Sequence, residues 1–173
     1  MYFMIKDNIL KALNKQINKE LFSAYLYLSM SAYTESKGLK GFSQWLKVQY
    51  QEELDHAMKF YNYVLERGGE IELVTIEKPK NKWLSILEVF ENGYEHEQII
   101  TESINNLMDL AVSEKDYATI NMLQWYIDEQ VEEESSFLEI IDKLKLLGGD
   151  KRGLFMLDKD LGQRVYVSLI TKN

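Results

Sequence analysis

The stretch QEELDHAMKF, residues 51–60, lies between GFSQWLKVQY (41–50) and YNYVLERGG (61–69), whose pattern is that of a helix with one face turned to a core. Trp45, Leu46 and Phe60 mark that face, since residues seven apart on a helix stack along nearly the same line. Glu53 stands one heptad from both Leu46 and Phe60, and His56 one turn further along. Two ionisable side chains therefore occupy a row that ought to be apolar. An acid on a Glu-rich helix ordinarily faces water, so a single interruption decides little.

The same break recurs in the other long periodic stretches. From Asp7 to about Ser36, apolar Leu10, Leu13, Ile17, Ala24 and Tyr27 follow three- and four-residue steps, with Glu20 set among them. From about Trp83 to Val112 the row reads Phe90, Glu97, Ile104; from about Tyr117 to Leu147 it reads Leu123, Gln130, Phe137, Leu144, with Glu133 on the next row. Glu20 and Glu53 are 33 residues apart, as are Glu97 and Gln130, and a second polar group follows three residues later in each case. This is a weak internal duplication, E…ExxH and then E…QxxE.

The links between these stretches set the topology. SKGLKG (36–41) and SEKD (113–116) are short turns, which make antiparallel neighbours of the helices they join. EIELVTIEKPKNK (70–82) has no helical period and holds the only proline, so it reads as an extended connection able to run the length of a bundle. Helices of about 28 residues would be about 42 Å long. Two helical hairpins joined by one long crossover, between helices two and three, make an all-α, ferritin-like four-helix bundle. A short fifth helix is expected from Asp158 to about Ile170, and residues 1–173 are expected to form a single domain.

Composition agrees and narrows the chemistry. One proline and nine glycines in 173 residues, with 46% hydrophobic and 28% charged residues, describe long amphipathic helices. A net charge of −8 argues against a nucleic-acid partner and for cations. The absence of cysteine removes disulfides, iron–sulfur clusters and Cys-ligated zinc, leaving oxygen and nitrogen ligands. No signal-peptide pattern or bilayer-length apolar run is evident, so the expected setting is cytoplasmic, away from a membrane.

If both hairpins fold alike, four carboxylates meet at one level of the core. Without a counter-ion they would repel one another and lose hydration, or bind protons instead. A pair of divalent cations removes that penalty. Glu and His at i, i+3 offer one oxygen and one nitrogen from adjacent turns, and two carboxylates per metal suit iron or manganese.

The residues then resemble the bacterial non-haem ferritins. NKELFSAYLYLSMSAY, QEELDHAMKFYNYVLERGG, YEHEQII, NMLQWYIDEQVEEE and LFMLDKDL are similar to that family's segments, in order, over nearly the whole chain. The resemblance implies Glu20 and His56 at a first iron, Glu53 bridging, and Glu97 and Glu133 at a second, with Gln130 close by as a hydrogen-bonding or weak ligand. It implies a tyrosine beside the centre at Tyr27, a nearby tryptophan at Trp125, and a third iron site at Glu52, Glu129 and Glu132, sharing Glu133. It further implies Fe²⁺ oxidation by O₂ or H₂O₂, Fe³⁺ storage as a hydrated oxide, and a homo-oligomeric cage of about 24 subunits.

Two related patterns fit less well. Bacterioferritins repeat ExxH in the fourth helix and place a haem-binding methionine after the bridging glutamate, where this chain has QxxE and Leu54, so no haem is expected. Rubrerythrins carry Cys-ligated iron. The acids of the three-fold channel of animal ferritins would fall on Ile120 and Leu123, leaving iron's route inward open. His96, next to Glu97 on the helix, should point about 100° away from it and is left out of the ligand set. The rival reading keeps a di-iron site but makes the chain a small oxidase or peroxide reductase without storage; a metal-free structural bundle is the third.

Overall fold

The computed structural model describes residues 5–168. Five helices follow in order: α1 (Asp7–Ser36), α2 (Lys40–Glu66), α3 (Ile86–Ser113), α4 (Tyr117–Leu147) and α5 (Lys151–Leu161), and no strand occurs among the described residues. α1 packs against α2 and α3 against α4, as their short turns require. The residues between α2 and α3, 67–85, climb back along α1. Asn14 and Asn18 act there like the edge of a strand. Asn14 donates to Glu70 O and accepts from Glu72 N, both at 2.9 Å, while Asn18 donates to Glu72 O and accepts from Val74 N, both at 3.1 Å. Further up, Ser29 donates to Lys80 O at 2.7 Å and Tyr33 to Trp83 O at 2.6 Å. From Asn14 to Tyr33 this is about 28 Å of helix at 1.5 Å per residue.

Two boundaries differ from the sequence reading. α3 starts at Ile86 rather than Trp83, because Ser85 is its N-cap and accepts from Glu88 N at 3.1 Å. Trp83 stays in the connection and is buried, its Nε1 donating to Asn92 Oδ1 at 3.0 Å. The fifth helix spans Lys151–Leu161, not Asp158 to about Ile170, of which residues 169 and 170 lie outside the described residues. Asp150 caps it by accepting from Arg152 N and Gly153 N, and the helix ends at Gly162.

α5 is locked to the start of α2. Leu39 gives α2 no side-chain cap, and Asp158 Oδ1 supplies one from α5, accepting from Gly41 N at 2.8 Å and Phe42 N at 3.0 Å. The approach requires glycine, since a Cβ on Gly41 would lie 1.5 Å from Asp158 O. At the opposite end Arg67 pairs with both oxygens of Asp116, at 3.1 and 3.0 Å, tying the end of α2 to the N-cap of α4.

The apolar core falls into two clusters. One holds Tyr27, Met30, Leu46, Phe90 and Phe137; the other holds Leu13, Ile17, Phe60, Ile104 and Tyr126. Each long helix passes from one cluster to the other near its middle. Between the clusters lie the residues that interrupt the stripes.

Candidate metal centre

Each bundle helix contributes to this middle layer. Glu20, Glu53, His56 and Glu97 are each 1% exposed, Gln130 3% and Glu133 4%. Their apolar neighbours fix the burial: a heptad row that is core on both sides of Glu53 cannot turn Glu53 to solvent without turning out Leu46 and Phe60. Ligand atoms from Glu20, Glu53 and His56 lie within 4.8 Å of one another, and so do those from Glu53, Glu97 and Glu133. Glu53 belongs to both sets. His56 Nδ1 is 3.3 Å from Glu53 Oε2, the i, i+3 geometry of adjacent helical turns.

Hydrogen bonds support part of this layer and leave the rest open. Gln16 Nε2 donates to Glu20 Oε1 at 2.7 Å, Gln130 Nε2 to Glu97 Oε2 at 3.0 Å, Tyr27 to Glu97 Oε1 and Gln49 to Glu133 Oε2. Gln130 Nε2 also reaches Thr101 Oγ1 at 3.2 Å, and Tyr126 holds the His56 carbonyl at 2.7 Å. Among the described residues, three buried side-chain atoms have no hydrogen-bond partner: Glu20 Oε2, Glu53 Oε1 and His56 Nε2. An unpartnered buried polar atom is costly, and the three residues that carry one are the members of a single candidate ligand set, which a cation would satisfy. The donor set, carboxylate oxygen with one imidazole, suits Fe²⁺ or Mn²⁺.

The charges behave accordingly. Burial, then the neighbouring Glu53 carboxylate, pushes the Glu20 and Glu97 carboxyls up to about 8. Glu133 is driven well above the usual carboxylate range by burial and by Glu97. Burial disfavours charge on His56, but Glu53 and Glu129 outweigh it and raise the imidazole well above 6.5. Tyr27 is held neutral by burial and by Glu97. Without a metal the layer holds itself together with protons.

Beside it, Glu52, Glu129, Glu132 and Glu133 line a cavity of about 200 Å³ together with Lys59, Trp125, Ser136 and Arg164. His56 Nε2 lies 3.7 Å from Glu129 Oε1 at the boundary between the two. Residues 10–147 match the ferritin-like domain family. The chain belongs to the ferritin family. Among relatives of this ferritin, the bacterial non-heme ferritin of Campylobacter jejuni is 45% identical over 156 residues, covering 90% of this chain and 93% of the relative. Among solved structures, the ferritin of the hyperthermophilic archaeon Archaeoglobus fulgidus, described as a novel open pore ferritin, is 55% identical with a TM-score of 0.92, covering 93% of this chain and 99% of that one. A closed form of the same ferritin, engineered by site-directed mutagenesis, is 53% identical with a TM-score of 0.93, over 94% of this chain and 99% of that one.

Some residues stand apart from the centre. His96 is partly buried and turned aside, its Nε2 2.8 Å from Ser23 Oγ and its ring against Phe22 and Tyr27. Leu123 is fully buried in the second core cluster, so this position lines no channel. Sequence reasoning missed Gln16, Gln49 and Arg164. The two glutamines carried a usable signal: each stands four residues before a stripe-breaking glutamate, on the same helical face, and is itself buried. No described helix is long and apolar enough to cross a membrane.

Proposed function

We infer that the protein is an iron-storage ferritin whose middle layer oxidises Fe²⁺. The observation that carries this reading is the pair of buried ligand sets sharing Glu53, one of them made of the three residues that carry an unpartnered buried atom. Glu20 and His56 bind one Fe²⁺, Glu97 and Glu133 the other, and Glu53 bridges. Gln130 and Tyr27 orient Glu97, and Gln49 orients Glu133. Two metal ions about 3.5–4 Å apart can act together on one small molecule. Two Fe²⁺ lose one electron each, reducing O₂ with two protons to H₂O₂, or H₂O₂ with two protons to water. The carboxyl protons displaced by the incoming iron are a source for that demand. Glu52, Glu129 and Glu132 receive Fe³⁺, a harder cation, on its way to a hydrated oxide held within a closed homo-oligomer of about 24 subunits. The ferritins of Campylobacter and Archaeoglobus support the family assignment on which that cage rests.

Glu53→Ala removes the shared ligand. Stopped-flow absorbance after mixing with Fe²⁺ in air should lose its fast phase, while size-exclusion chromatography shows the wild-type particle. Fast oxidation at the wild-type rate would overturn the assignment.

A further inference from the structure

The tail after α5 lies along α2 as an extended strap. Gln44 Nε2 donates to Arg164 O at 3.2 Å, and Tyr166 Oη and Ser168 Oγ reach Asp55 Oδ2 at 2.7 and 3.1 Å. The strap delivers one guanidinium to the acidic cavity. Arg164 stacks on Trp45, 4.4 Å from the ring centroid, and donates to Gln49 Oε1 at 2.9 Å and to Glu52 Oε2. Gln49 in turn donates to Glu133. One cation therefore touches the cavity directly and the metal layer through a single amide.

We propose that Arg164 is a built-in counter-ion for the inner cavity, a positioning residue that must release Glu52 before a third metal cation can use that carboxylate. This rests on the reading of the middle layer and cavity as an iron path. Glu52, Glu129, Glu132 and Glu133 converge with Lys59 and Arg164 as the only cations among the described residues lining the same cavity, and Lys59 sits over Trp125, 4.3 Å from its centroid. A planar guanidinium satisfies a carboxylate through directed hydrogen bonds, so it holds Glu52 in place in the absence of metal. A divalent cation at Glu52 must compete with that bond and is repelled by the charge beside it. The site is thereby kept weak and exchangeable, as a point of passage requires. The same guanidinium holds Gln49, which donates to Glu133, so a movement of Arg164 away from the cavity would also reach a ligand of the second metal position.

The test is an anaerobic Co²⁺ titration of the assembled protein, followed by calorimetry and by cobalt absorption. Wild type should bind two Co²⁺ per chain tightly and a third weakly. Arg164→Ala and Arg164→Gln should leave the particle size and the two tight sites intact and strengthen the third at least tenfold. Arg164→Lys, which keeps the charge, should retain a weak third site. Tyr166→Phe, which loosens the strap but spares the guanidinium, should change the third site by less than twofold. An unchanged or weaker third site in Arg164→Ala, with both tight sites present, would overturn the counter-ion role. An equal strengthening in Tyr166→Phe would do the same, assigning the effect to the strap. Loss of the two tight sites in wild type would instead overturn the reading of the middle layer, and this proposal with it.

Discussion

Metal binding to the middle layer should expel protons, and the number should depend steeply on pH. The perturbation is saturation of the two inner positions with Co²⁺ in the absence of oxygen, at pH 6.5 and again at pH 8.5. Glu20 and Glu97 titrate at about 8. By the ordinary titration relation each carries nearly one proton at pH 6.5 and roughly a quarter of one at pH 8.5. Cobalt needs the ionised carboxylate, so these two groups should release about 1.9 protons per chain at the lower pH and about 0.5 at the higher. The difference is about 1.5 protons. Glu133 and His56 are raised in the same direction and add to the count at pH 6.5. Calorimetry in two buffers of different ionisation enthalpy gives the released protons directly. Fewer than one proton per chain at pH 6.5, or the same count at both pH values, would refute the reasoning that burial and mutual repulsion hold these carboxyls protonated.

The same shifts set the stability of the metal-free protein. Glu20 and Glu97 are raised from 4.5 to about 8, so their contribution is fully present below pH 4.5 and is lost as pH rises to about 8; each shift corresponds to about 5 kcal/mol at most. Thermal unfolding should therefore show a falling Tm from pH 5 to 9 without metal and a much flatter profile with Co²⁺. Phe137→Ala should cost about 3–5 kcal/mol, since the ring is fully buried against Tyr27, Trp45 and Phe90; denaturant unfolding measures it. Gly41→Ala should detach α5, because its Cβ would lie 1.5 Å from Asp158 O, and limited proteolysis should then cut in the 148–163 region.

The bundle was legible because hydrophobic period, turn length and the proline-bearing crossover all pointed one way, and α1 and α4 start and end where the periodicity does. The start of α3 was misplaced because Trp83 continues the apolar rhythm of Ile86 and Phe90 although it packs from the connection; the Ser85 cap, with Glu88 three residues later, was the better signal. α5 was shifted because GGDKRG reads as a stop for α4, while its Asp150 is the cap of the next helix. The middle layer was visible as acids on apolar rows. Its supports were less so: Gln16 and Gln49 share those rows, but a lone glutamine seldom signals a ligand's partner. Arg164 was not legible at all, since nothing local links it to Glu52, 112 residues earlier in the chain.

The central claim is storage at a built oxidation centre, and iron retained per chain tests it most directly. After aerobic loading with a large excess of Fe²⁺, the protein is separated by size and its iron counted. Iron far above three per chain, co-eluting with a particle many times the mass of one 20.4 kDa chain, is the predicted result. About two per chain on a small species would contradict storage and favour a di-iron oxidase, and none would contradict the metal centre itself.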